Sequence, residues 1–160
     1  MSSGAKLFGH PIHQMLIVFP LGLLAMAVIF DVIRLAAGTM LGIPSYYMIA
    51  AGVISGLVAA IFGFIDWLSI PPRTRAKSVG VWHGLGNVVV VLLFAASWWL
   101  RTGDPSNPPT LAFGLALVGV GLALVTGWLG GELVDRLGVG VDDGAHVNAP
   151  SSLSGRPARG

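Results

Sequence analysis

The chain has 160 residues, of which 54% are hydrophobic and only 10% charged, with a mean hydropathy of +0.82 and a net charge of +2. Soluble domains carry roughly a quarter charged residues, so this composition excludes a water-compatible surface and points to an integral membrane protein. With no cysteine there is no disulfide, thiolate metal site or cysteine nucleophile, and a basic pI near 9.5 that rests on a few loop residues is no nucleic-acid footprint.

The N-terminal stretch "MSSGAKLFGHPIHQ" holds one lysine, and no small-residue cleavage site follows a short apolar core. The first apolar run therefore reads as a retained helix and not as a removed signal peptide. Charges divide the chain into four uncharged runs, residues 7–30, 35–65, 78–100 and 105–131. About 20 apolar residues cross ~30 Å of hydrocarbon, so each run has room for one helix. The predicted spans are 12–35, 46–68, 79–100 and 109–133. Between them lie a turn from Gly38 to Pro44, the proline-stopped basic loop "IPPRTRAKS" and the hydrophilic turn "RTGDPSNPP". Short loops force antiparallel neighbours, which predicts an all-α, up-down-up-down four-helix membrane bundle over residues 1–141. Residues 142–160 are polar and read as a disordered tail or linker.

Orientation follows from the basic residues. One side collects Lys6, Arg73, Arg75, Lys77, Arg136, Arg156 and Arg159, and the other has only Arg34 and Arg101. The positive-inside rule then places both termini and the middle loop in the cytoplasm, in a bacterial inner membrane. Trp67, Trp82 and Trp128 fall at that boundary, and Tyr46, Tyr47, Trp98 and Trp99 at the other, as two aromatic belts. Inside the spans, Gly52 and Gly56, then Gly80 and Gly84, form small-xxx-small pairs, and the fourth span is richer still in glycine. Such residues let helices approach closely in lipid, or clear a slot for a flat cofactor.

Polar residues gather at one end. His10 and His13 begin the first span, Asp66 ends the second, His83 begins the third and Glu132 ends the fourth. In an up-down-up-down bundle these positions share one layer. Each has a plain reading: His10 as a flank before Pro11 at the helix start, and Asp66 as a helix-end carboxylate beside Trp67. For His83, in "GVWHGLGN" with Asn87 one turn on, it is an interhelical hydrogen bond. Glu132 can snorkel or pair with Arg136 at i+4. His13 shares a face with His10, and His146 in the tail has no assigned role. At the opposite end Asp31 and Arg34, spaced i, i+3, are expected to pair with each other. Together, however, three histidines and two carboxylates in one layer are a functional hypothesis, because ionisable groups are rare in such places.

Two ligands suit the layer. A haem b needs two facing imidazoles, supplied by His13 and His83, with room from Gly80, Gly84, Gly127 and Gly130 and propionate partners in Arg73, Arg75 and Lys77. A divalent metal ion needs three or four ligands around one point, drawn from His10, His13, His83, Glu132 and Asp66. No HExxH, Walker or serine-triad pattern suggests hydrolysis or nucleotide chemistry.

Four ordered stretches, "GHPIHQMLIVFPLG", "GFIDW…IPPRTRA", "WHGLGN" and "GWLGGELVDRLGVGV", resemble the bacterial membrane proteins grouped as domain of unknown function 2231, over residues 9 to about 141. Two positions depart from the pattern: Gln14 stands where proline is usual, and Val18 where some relatives carry a further histidine. Relatives joined at the C-terminus to a Rieske-type iron–sulfur domain, or found near cytochromes, imply electron transfer with such a redox partner. Small membrane cytochromes b share the layout and commonly hold two haems. With histidines at one face only, at most one is expected here. The alternatives are a non-haem metal-binding membrane protein, or a non-catalytic assembly subunit of an oligomer or larger membrane complex.

Reporter fusions at both ends test the orientation. Cytoplasmic signals are expected from each, and a periplasmic signal at either end reverses the placement of the polar layer.

Overall fold

The computed structural model describes residues 3–158, so Arg159 lies outside the described residues. A short antiparallel hairpin, β1 (Lys6–Leu7) and β2 (His10–Pro11), precedes the membrane helices. Its two-residue loop, Phe8 and Gly9, has positive φ at both positions, 50° and 87°, which matches the right-handed twist of the strands. The sequence pattern predicts only a helix approach here, whereas His10 stands in a strand.

The first span has two parts, α1 (Ile12–Leu16) and α2 (Val18–Ala37). Pro20 has no N–H to give the Leu16 carbonyl and its ring crowds that turn, which accounts for the break at Ile17. Gly38 in the left-handed region (φ 63°) ends α2. Helix α3 (Gly42–Ser69) starts before the predicted 46, because Pro44 lies in its first turn, where a missing N–H costs nothing. Helix α4 (Arg75–Leu100) is capped by Thr74, whose hydroxyl accepts from Lys77 N. Helix α5 (Thr110–Gly131) runs into a π-helical turn, Glu132–Arg136. Four helices, Ile12–Ala37, Gly42–Ser69, Arg75–Leu100 and Thr110–Arg136, are long and apolar enough to cross a membrane.

The helices pair as two hairpins, α2 on α3 and α4 on α5, closed by α3 on α4 and α2 on α5. We call the end carrying both termini and the α3–α4 loop the terminal end, and the other the distal end. Leu24, Ala27, Val28, Ile49, Val90, Phe94 and Ala116 form the buried core between the hairpins. Missing side chains permit the close approaches. A Cβ on Gly52 would sit 2.5 Å from Leu24, and one on Gly86 2.5 Å from Thr126. Trp82, Trp128, Tyr47 and Trp99 point outward at the two boundaries, while Tyr46 and Trp98 stack at 5.6 Å between ring centroids.

Asp31 does not pair with Arg34. It takes both ends of the Arg101 guanidinium, Nη1 to Oδ1 at 2.9 Å and Nη2 to Oδ2 at 2.6 Å, with both side chains fully buried. Spacing along one helix identifies local neighbours only, and Asp31 faces inward, across the bundle. Arg101 also donates to the hydroxyl oxygens of Ser45 and Ser97, each at 3.3 Å. Ser45 in turn donates to the Ala27 carbonyl and Ser97 to that of Ala112. One guanidinium thus ties together α2, α3, α4 and α5. Arg101 also stands at the C-cap of α4, where a cation is favoured.

Removing one partner leaves a buried charge unpaired. Asp31→Asn or Arg101→Gln is therefore expected to destabilise the bundle by about 3–5 kcal/mol, whereas the double replacement Asp31→Leu/Arg101→Leu recovers most of the loss. Thermal unfolding in detergent reads both, and an additive double variant would contradict the assignment.

Candidate functional site

The predicted polar layer divides into a central pair and three separate anchors. His13 on α1 and His83 on α4 face one another, with ring centroids 6.4 Å apart and ring planes at 90°. His13 Nδ1 donates to the Ala59 carbonyl at 2.9 Å, and His83 Nδ1 to the Thr126 carbonyl at 2.9 Å. In both cases a glycine stands four residues after the accepting carbonyl. A Cβ on Gly63 would lie 2.8 Å from His13 Cε1, and one on Gly130 3.1 Å from His83 Cε1. The same device therefore occurs once in each hairpin: an imidazole laid on a glycine and bonded to the carbonyl one turn earlier. Both Nδ1 atoms carry the proton, which leaves the Nε2 electron pair of each ring as the acceptor or ligand.

The other members are committed elsewhere. Asp66 accepts from Ser3 Oγ at 2.5 Å and Gly4 N at 3.0 Å, anchoring the segment before β1. Glu132 takes Arg75 at 2.6 Å. Arg136 is not its partner, because the π-helical turn carries residue i+4 away from the α-helical position. His10 Nε2 is 3.4 Å from Ser152 Oγ in a 3₁₀ turn of the tail, Ser152–Ser154, and Lys6 pairs with Asp142. Among the described residues, no group of three or more histidine and acidic side chains gathers around one point. The five-residue metal cluster expected from sequence does not assemble.

Of the basic residues, Lys77 folds onto Trp67, 3.7 Å from the ring centroid, and donates to the Trp67 carbonyl. Arg73 sits on the exposed α3–α4 turn with φ of 62°. The glycines divide similarly. Gly80 is covered by Trp67 and Gly130 by His83, while Gly84 and Gly127 have open space where a Cβ would be.

The family model described as "Predicted membrane protein (DUF2231)" matches residues 9–143. The chain belongs to the DUF2231 family. The match takes in every membrane helix and both histidines of the central pair. No curated protein and no solved structure matches the chain. As a DUF2231 member it is a multi-pass membrane protein.

Ala59, Gly63 and Thr126 also belong to the site, and the sequence pattern does not mark them. Thr126 is 98% buried, its hydroxyl donating to Asn87 Oδ1 at 3.1 Å. A carbonyl acceptor leaves no trace in a side-chain pattern. The glycine four residues later does, but only once the facing histidine is known.

This geometry separates two glycine positions. Gly84→Ala is expected to stabilise the protein by about 0.5–1 kcal/mol, as alanine does in a helix with room for it. Gly63→Ala forces the His13 ring off its carbonyl and is expected to lower stability. Unfolding midpoints in detergent distinguish them, and equal shifts of one sign would contradict the packing.

Proposed function

We propose that the protein is a small bacterial plasma-membrane electron-transfer subunit that binds one haem b between His13 and His83. The observation that carries this reading is the duplicated device in the two hairpins. It holds two imidazoles by Nδ1–H bonds to carbonyls at one level of the bundle, with Asn87 beside His83 Nε2 and no donor among the described residues at His13 Nε2. His13 and His83 would hold the haem between them, since the two rings face one another from separate hairpins with centroids 6.4 Å apart. When bound, the haem supplies a one-electron carrier.

The chain's own residues then have defined tasks. Ala59 and Thr126 fix the ring tautomers and orientations by accepting the Nδ1 protons. Gly63 and Gly130 admit the rings. Arg73, exposed on the α3–α4 turn, is the first partner for a propionate, while Lys77 is held on Trp67 and Arg75 reaches an acidic group only by exchanging Glu132. His10, held to the tail, is no ligand. The redox partner, by this reading, docks at the terminal end.

A second reading rests on Asn87, whose amide nitrogen is 3.3 Å from His83 Nε2. There the histidines are interhelical staples and the protein is an assembly subunit of a larger membrane complex.

The visible spectrum separates the readings. Protein produced with abundant haem is expected to show a sharp reduced Soret band, lost in His13→Ala and in His83→Ala and retained in His10→Ala. A colourless wild-type protein sinks the haem reading and leaves the staple. Bound zinc or copper in that colourless protein, measured by elemental analysis and lost with His13, would instead support a non-haem metal.

A further inference from the structure

The two imidazoles are not equivalent. His83 belongs to a circuit of hydrogen bonds with Asn87 and Thr126. Asn87 Nδ2 donates towards His83 Nε2 at 3.3 Å, His83 Nδ1 donates to the Thr126 carbonyl at 2.9 Å, and the one Thr126 hydroxyl proton is shared between Asn87 Oδ1 and the Ala123 carbonyl, each at 3.1 Å. The second amide proton of Asn87 goes to the His83 carbonyl at 2.8 Å. This set admits one orientation of the amide: the nitrogen has two acceptors beside it and the oxygen has a hydroxyl. His13 has no such arrangement. Its Nδ1 is bound to Ala59, and among the described residues no donor reaches its Nε2.

An imidazole nitrogen has a single in-plane electron pair, which cannot accept a proton from Asn87 and bind a metal at once. We propose that Asn87 latches His83, so that His13 is the first ligand of the pair and His83 the second, exchangeable one. The proposal rests on the haem reading for what the pair binds, and on the circuit alone for the latch. Binding at His83 Nε2 displaces one Asn87 N–H, while the bond to the His83 carbonyl keeps the amide in place. Asn87 is a positioning residue, and it acts against occupancy.

The test uses the full-length protein in detergent, titrated with haem. Asn87→Leu keeps the size of the side chain and removes the amide. Losing one neutral hydrogen bond that competes with the ligand should tighten haem binding about five-fold. Thr126→Val, which frees the amide oxygen, is expected to act in the same direction but less, with little further gain in the double variant. Unchanged or weaker haem binding by folded Asn87→Leu overturns the latch, because Asn87 would then support His83 as a ligand.

A separate arm needs no haem. In ligand-free protein, the ¹⁵N resonance of His83 Nε2 should move in Asn87→Leu, with that of His13 Nε2 unmoved. If it does not, the latch is wrong whether or not haem binds. If it does and no variant binds haem, the latch stands and the haem reading fails. Should Asn87→Leu not fold, Thr126→Val carries the same two readouts.

Discussion

The arrangement of this bundle depends on a guanidinium and a carboxylate that meet where water does not reach. Asp31 and Arg101 are fully buried and joined through two parallel hydrogen bonds, in a protein with little other charge inside its helices. An ion in such a place must be paired and have its remaining protons satisfied, or its desolvation is not offset. Ser45 and Ser97 complete the set, and each is itself bonded to a carbonyl of its neighbouring helix. The requirement is geometric as well as energetic. Bidentate pairing fixes how far α2 and α4 are rotated, and so which residues of the two hairpins oppose each other along the rest of their length.

The histidine layer repeats that logic at the terminal end. Ser45 and Ser97 each bond a carbonyl within their own hairpin, and so do His13 and His83. At the distal end the two hairpins are then joined by an ion pair. At the terminal end they bring two imidazole rings together, with centroids 6.4 Å apart. A group that accepts two nitrogen ligands would close this end as Arg101 closes the other. The glycines under the rings belong to the same design, since close approach in lipid is achieved by small residues and not by hydrophobic force.

The four spans and the meeting of His13 with His83 were legible in the sequence, for a simple reason. Span length is set by bilayer thickness, and the end at which a residue lies follows from counting crossings. What crossing parity cannot supply is rotation of a helix about its own axis. That is why Asp31 was assigned to Arg34 on its own helix, when its partner is Arg101 beyond the end of α4. The same limitation gathered Asp66 and Glu132 into a metal cluster because they share a level, although they face Ser3 and Arg75. The hairpin at Phe8–Gly9 had no signal, because its strands are two residues each and its turn lacks the usual asparagine. Carbonyl acceptors such as Ala59 and Thr126 are invisible to any pattern of side chains.

The native chain has no cysteine, which makes the facing of positions 13 and 83 directly measurable. His13→Cys/His83→Cys in native membranes should be joined by a bifunctional thiol reagent long enough to replace the two lost rings and the gap between them, giving an internally linked chain. The link should weaken sharply when Arg101 is also replaced by glutamine, since the hairpins then lose their common rotation. Failure of the two cysteines to link in the otherwise intact protein, under conditions that link a pair placed across α2 and α3, would contradict the arrangement on which the account rests.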